Sequence, residues 1–479
     1  MTTDARYERI AQRFVRSIRD GQLSPGERLP SLRALCKSDG VSLMTALAAY
    51  RRLEQLGLVE ARERSRYRVR GPQVSSLLRS PVRRARLAQR SREREILVDE
   101  VFGAVGDPSL VPLGLGCPSQ ALFPVRELRR VTAMLLRARP EIWTSYSLPP
   151  GDLALRTSIA LRLRDRGLHV RPDEVLLTSG AMEGISLALR ALIRPGDAVA
   201  VECPTFFGIF DAARALGARV VELPCDAEGG PDPALLDTAC RRHPIRAVAL
   251  IPSFGNPSGG LMPEDRRRAW MTALRRRRIP VIEDDLYGEL AHDGRTVPPL
   301  ISFGRSDGNE SPSLLVGSFS KCLLPGGRVG YVVARGGWIE KLTRLKQSTT
   351  LANATLPEEL ARECLSSGIY QRQLRRMRAS IAEGVAAIRR EVAEHFPAGT
   401  RVSHPLGGFL LWVELPSGCD AVSLFYDAIG AGISIAPGSL FTLGAGFERF
   451  IRLNAGAAIQ RGASIATLGK LANGSKSRA

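Results

Sequence analysis

The chain has 479 residues, 44% of them hydrophobic, and a formal net charge of +20; a chain of this length and apolar content is expected to form two or three globular units. No apolar run approaches the length of a bilayer span, and the charged N-terminus lacks a signal-peptide core, which argues against a membrane or exported protein. The eight cysteines stand singly without C-x-x-C spacing and the five histidines do not cluster with them, which speaks for reduced cytoplasmic thiols and against disulfides or a metal site.

Charge is unevenly placed. Residues 1–95 hold 22 Lys and Arg against 10 Asp and Glu, over half of the excess in one fifth of the chain. A basic front on a nearly balanced body fits a polyanion-binding module attached to something else.

At the front, Ile10, Phe14, Val15 and Ile18 recur at helical spacing, so a first helix is predicted over residues 6–20, stopping at Gly21. After a Pro25-Gly26 turn, Ser31 caps a short helix reaching Lys37. Ser42 then caps a third helix with its inner stripe at Ala46, Ala49, Tyr50, Leu53 and Leu56. Residues 58–69, rich in arginine, suit a basic hairpin. This order is that of a winged helix-turn-helix. The strings Pro25-Gly26-Glu27-Arg28-Leu29-Pro30-Ser31, Gly40-Val41-Ser42, Ala49-Tyr50-Arg51-Arg52-Leu53-Glu54 and Gly57-Leu58-Val59-Glu60, with Arg33 between the first two, resemble the DNA-binding domain of GntR-family regulators. The resemblance implies that Arg28, Arg33, Ser42, Thr45 and the wing arginines Arg64 and Arg66 face double-stranded DNA. Leu43 stands where many members have arginine, which leaves apolar contact with thymine methyls, or phosphate contacts from Arg28, Arg33 and the wing, as the means of binding. Arg66 takes the place of a usual glycine in the wing.

The module closes at residue 71. Residues 72–112, with Ser75, Ser76, Ser80, Pro81 and Arg83-Arg84-Ala85-Arg86, read as a basic flexible linker with a helical stretch over 95–105.

In the body, residues 113–470, strand-like runs at 175–178, 198–202, 220–223, 247–251, 281–283, 314–316 and 329–333 alternate with helical segments. Such alternation predicts βαβ units and a mainly parallel sheet, with ligands gathered at strand ends. Ser179-Gly180-Ala181 follows the first run and opens a helix over 182–193, leaving N–H groups for a phosphate. Asn256-Pro257-Ser258-Gly259 makes a turn. Asp284-Asp285-Leu286-Tyr287 offers a carboxylate for a protonated ring nitrogen and a hydroxyl for a phenolic oxygen. Lys321, in Gly317-Ser318-Phe319-Ser320-Lys321, is one of six lysines. An amine can lose its proton and attack a carbonyl as a guanidinium cannot, so Lys321 points to Schiff-base chemistry. The other five, Lys37, Lys341, Lys346, Lys470 and Lys476, read as solvated surface cations. Arg328 could bind phosphate, and Arg452, in an apolar strand, calls for a carboxylate partner.

Together and in this order, these motifs resemble the fold-type I pyridoxal-phosphate aminotransferases over essentially all of residues 113–470. The resemblance implies that Lys321 is the internal-aldimine lysine, Asp284 the pyridinium partner, and Tyr287 and Asn256 contacts of the ring oxygen. Ser179, Gly180, Ala181, Ser318, Ser320 and Arg328 become the phosphate cup, Phe206 the stacking ring, Tyr146 the tyrosine that reaches the partner subunit's phosphate, and Arg452 the α-carboxylate anchor. Residues 471–479 are expected as a disordered tail.

The fusion resembles the MocR-type regulators. The implied fold is α/β: an N-terminal winged helix-turn-helix joined by a linker to a mainly parallel central sheet with a smaller C-terminal α/β subdomain. The implied protein is a cytoplasmic, head-to-tail homodimeric transcription regulator that binds pyridoxal phosphate and DNA. It would sense an amino acid or other amine, or pyridoxal phosphate itself, through aldimine exchange at Lys321. A working class I/II aminotransferase with a vestigial front end, and a fold-type I decarboxylase or lyase, stand as the rival readings.

Overall fold

Phe14, Tyr50 and Tyr67 meet edge to face, their ring centroids 5.7 and 5.0 Å apart, at the centre of the first of two units, Met1–Arg83 and Arg84–Ala479. The computed structural model describes residues 4–19, 23, 27–56, 58–62, 66–69, 82–226, 229–304, 313–456 and 461–475. In the first unit, α1 (Asp4–Arg19), α2 (Leu32–Asp39) and α3 (Leu43–Gln55) precede an antiparallel hairpin of β1 (Val59–Arg62) and β2 (Arg66–Val69). Ser31 and Ser42 cap α2 and α3 by accepting the N–H groups of Ala34 and Thr45, each at 3.2 Å. Gly40, at φ 60°, ends α2 in the left-handed conformation. Leu29 N–H donates to Tyr67 O and Val69 N–H to Glu27 O, both at 3.0 Å, so residues 27–29 line up along the wing. Leu56, expected on the inner stripe, lies just past the helix end and is exposed.

The second unit starts earlier than expected. From residue 82 the predicted linker is one helix, α4 (Val82–Val105); residues 70–81 lie outside the described residues. Leu97 and Val101, one turn apart, are buried in the core of the body, and Arg94 bonds Asp211 at 2.5 Å. That spacing seats one face of α4 on the body, which overrides its high charge.

The central sheet contains β4 (Val175–Thr178), β5 (Ala198–Cys203), β6 (Arg219–Asp226), β7 (Gly230–Pro231), β8 (Ile245–Leu250), β9 (Val281–Asp284), β10 (Ser313–Ser318) and β11 (Gly330–Val333); β3 (Val111–Pro112) precedes it and lies apart. Strand order is β4-β11-β10-β9-β8-β5-β6-β7. The run β10-β9-β8-β5-β6 is parallel, whereas β11 is antiparallel to both neighbours. β4, β5 and β9 are buried along their length, as strands covered on both faces are.

The smaller sheet is formed by β12 (Arg401–Val402), β13 (Leu410–Glu414), β15 (Ala436–Pro437) and β16 (Phe450–Asn454), all antiparallel, while β14 (Ile433–Ser434) pairs in parallel with β3. The expected disordered tail is a correction: the helix Arg461–Ser475 continues through residue 471, and Ala472 is buried. Its apolar positions Ile465, Leu468 and Ala472 recur at helical spacing into the core; residues 476–479 lie outside the described residues. Among the described residues no helix is long and apolar enough to cross a membrane.

Candidate functional site

The parallel strands end on one edge of the sheet, and their following loops deliver polar side chains to one cavity. Asp284 closes β9, Ser318 closes β10 with Ser320 and Lys321 just after it, Phe206 follows β5, Asn256 follows β8, and Ala181 begins the helix after β4; all line the cavity with Tyr287, Arg328 and Arg452. Ten of the side chains predicted from distant stretches of sequence therefore share one space of about 230 Å³.

Asp284 is buried, and its Oδ1 has no hydrogen-bond partner among the described residues. Burial, then the neighbouring Asp285 carboxylate, push its pKa up to about 7. The chain neighbours are satisfied differently. Asp285 receives both terminal nitrogens of Arg166 at 2.5 and 3.0 Å, and Glu283 accepts the N–H groups of Leu300 and Ile301 at 2.7 and 3.0 Å. Only the middle carboxylate of the three keeps an unpartnered oxygen, and it is the one on the cavity wall.

Lys321 Nζ donates to Gly116 O at 2.6 Å, and desolvation lowers its pKa. Tyr287 is buried, which raises its hydroxyl pKa, and its ring packs edge-on against Phe409. Asn256 Oδ1 accepts Arg452 Nη1 at 2.8 Å, and Arg452 Nη2 donates to Gly114 O at 2.5 Å. No carboxylate pairs with Arg452 among the described residues. Its guanidinium lies 4.9 Å from the Phe441 ring centroid, its Nε is unpartnered, and burial lowers its pKa to about 10. A buried guanidinium without an anion is a site for one.

Arg328 adopts φ 52° and reaches Ser320 Oγ at 3.3 Å. A Cβ on Gly330 would stand 2.6 Å from the Gly180 carbonyl carbon, so two glycine backbones meet directly beneath this arginine. Ser320 N–H donates to Ser318 Oγ at 3.1 Å, closing a small hydroxyl-lined turn.

Some predicted residues fall elsewhere. Ser179 and Gly180 border the cavity from behind Arg328 without lining it. Ser179 N–H is taken by Glu183 Oε2 at 2.5 Å, and Glu183 is held by Lys346, with both oxygens 2.8 Å from Nζ. Lys346, expected as a surface cation, is 0% exposed: the helix Trp338–Gln347 turns it inward to the Glu183 carboxylate. Tyr146 is 76% exposed and outside the cavity of its own chain. Among the lining residues that sequence reasoning missed are Val101 and Phe102 of α4, Gly114 to Cys117, and Leu440, which come from three separate segments without a chemical motif.

In the head, Arg28 and Arg33 are exposed and Ser42 is a helix cap. Thr45 is a correction: it is buried, its hydroxyl 2.9 Å from Ser42 Oγ, because it precedes Ala49 by one turn on the inner stripe. Leu43 and Met44, 56% and 71% exposed, form the outward start of α3. Arg64 and the Arg66 side chain lie outside the described residues.

Residues 111–463 match the family model "Aminotransferase class I and II", and residues 6–69 match "Bacterial regulatory proteins, gntR family". The chain is 34% identical over 455 residues to the uncharacterized HTH-type transcriptional regulator YdcR of Escherichia coli (strain K12), covering 94% of each. It is 33% identical over 357 residues to the 2-aminoadipate transaminase of Thermus thermophilus, covering 74% of this chain and 88% of that protein. Among solved structures, LysN, an alpha-aminoadipate aminotransferase of Thermus thermophilus complexed with N-(5'-phosphopyridoxyl)-L-leucine, superposes with a TM-score of 0.73 at 30% identity, covering 79% of this chain and 98% of that one.

Proposed function

The chain belongs to the class I and II aminotransferase family through residues 111–463 and carries a gntR-family head at residues 6–69, and on that premise we propose a MocR-type transcription regulator whose grip on DNA depends on what occupies the cavity of the body. The observation that carries the reading is that one chain holds both a helix-turn-helix head and a cavity in which Lys321, Asp284, Arg328 and Arg452 converge.

The cofactor is pyridoxal phosphate, and the residues fit it. Asp284 offers a buried carboxylate oxygen without a protein partner, suited to a protonated ring nitrogen. Tyr287 and Asn256 offer a hydroxyl and an amide to the ring oxygen, and Phe206 offers the face of its ring. Arg328, Ser318 and Ser320 surround the place for a phosphate, with Ala181 opening its helix there and Ser179 and Gly180 behind. When bound, pyridoxal phosphate supplies a carbonyl that condenses with primary amines and a ring that draws electrons from the amine carbon.

Lys321 is the protein's own amine. Desolvation lowers its pKa, which enlarges the neutral fraction able to act as nucleophile or to take up a proton. Arg452 fastens the carboxylate of an amino acid, and the replacement of the Lys321 amine by that of the ligand is the sensing event. Occupancy regulates only if it favours one arrangement of the heads. A head-to-tail homodimer belongs to the proposal: Trp143, Tyr146, Leu148 and Leu153 are exposed together along one stretch, and Tyr146 can serve the phosphate site of a second copy. Two heads on one dimer gain affinity through effective concentration. Eight cysteines without C-x-x-C spacing and the DNA-binding head support a cytoplasmic setting.

The test is footprinting on the DNA upstream of the gene at several salt concentrations, with and without pyridoxal phosphate. A salt-sensitive protected site that changes with the cofactor is expected; no site at any protein concentration would overturn the regulator. The complete set of Lys321, Asp284 and Arg452 also favours retained transamination, which an assay with amino acids and a keto-acid acceptor measures directly.

A further inference from the structure

Resting on the amine-sensing reading, the cavity wall narrows the kind of amine. Lys321 Nζ lies 2.6 Å from Gly116 O, and a Cβ on Gly116 would lie 3.6 Å from both terminal nitrogens of Arg452. The amine end and the carboxylate end of an α-amino acid are thus both assigned along the Gly114–Gly116 backbone, and only its side chain remains to be housed. The wall left for it includes Phe102, Leu115, Cys117, Phe207 and Leu440. All four charged side chains that line the cavity, Asp284, Lys321, Arg328 and Arg452, are already engaged by the cofactor or by the two ends of the amino acid. Burial raises the Cys117 thiol pKa, so this residue adds no charge near neutral pH.

We infer that the effector is an α-amino acid with an uncharged apolar side chain, aliphatic or aromatic. A carboxylate or ammonium in that place sheds its water against carbon and meets no opposite charge among the described residues of its own chain. An apolar chain instead exchanges water for Phe102, Phe207 and Leu440. Phe102 is the adjustable part of the wall: it is 58% exposed and touches the rest through an edge-on contact with Phe207, ring centroids 5.7 Å apart.

The test uses the full chain loaded with pyridoxal phosphate, titrated with L-leucine, L-phenylalanine, L-glutamate, L-2-aminoadipate and L-lysine. Cofactor absorbance and affinity for the upstream DNA are both followed. Leucine or phenylalanine is expected to act at concentrations about 100-fold below the charged amino acids. An equal or better response to a charged amino acid overturns the inference and assigns the missing charge to a second copy of the chain. No response to any amine, with DNA binding still governed by pyridoxal phosphate, overturns the amine-sensing reading itself, so the two failures are distinguishable. Phe102→Arg is expected to weaken leucine and strengthen glutamate by about 10-fold each; absorbance before titration reports whether its site is built, and an unaltered preference in a loaded variant counts against the inference.

Discussion

Asp284 sits between two other buried carboxylates and is the one whose Oδ1 the protein leaves unpartnered. Because burial raises its pKa to about 7, the folded chain without cofactor holds a proton that the unfolded chain has lost between roughly pH 4 and 7. The stability this group contributes is full below the unfolded value and is lost as pH rises through about 7. Asp284→Asn is therefore expected to stabilise the cofactor-free protein at pH 8 by on the order of 1–3 kcal/mol, with little effect at pH 4, while weakening pyridoxal phosphate at least tenfold. Thermal melts at the two pH values, with and without the cofactor, check both halves; an equal shift at both pH values would contradict the titration. Lys346 makes the opposite case. Its side chain is fully enclosed against Glu183, which in turn holds Ser179, so Lys346→Met leaves a largely enclosed carboxylate without its counter-ion and should cost about 3–5 kcal/mol in denaturant unfolding. A loss below about 1 kcal/mol would show that Glu183 finds another partner.

Among the elements, α3 presents Leu43 and Met44 outward and keeps Thr45 inside, and on the proposed function base reading and phosphate binding rest on different residues of the head. Arg33→Ala is expected to lower the salt dependence of DNA binding by about one counterion without changing sequence preference, whereas Met44→Ala should reduce discrimination at an unchanged salt slope. Binding titrations at several salt concentrations on specific and scrambled DNA separate the two. The strands of the body were legible because each is a short apolar run bounded by polar or turn residues, and the lysine, aspartate and arginine stand at their ends. The third helix of the head was read from its Ser42 cap and its stripe, though the stripe also contains Thr45, which the family resemblance places facing DNA. Other features had no local signal. The apolar spacing of α4 begins only near Leu97, so its arginine-rich start read as linker. Lys346 lies on an amphipathic helix and differs from a surface lysine only through Glu183, a residue 163 positions away.

At the scale of the whole molecule, the two units carry separate cores, so calorimetry is expected to resolve two transitions. Pyridoxal phosphate should raise only that of the body, by about 2.7 kcal/mol at one hundred times its dissociation constant; a single transition, or a shift in both, would show the units to be coupled in unfolding. The place of α4 bears on where the molecule can be divided. The family match begins at residue 111, yet Leu97 and Val101 fill the core of the body, and Val101 with Phe102 walls the cavity. A fragment of residues 82–479 should keep its cofactor absorbance and its response to amines, while one of residues 111–479 should lose both. Removing the head alone therefore requires a cut well upstream of the recognisable enzyme, because a body that begins at residue 111 would arrive without part of its own pocket.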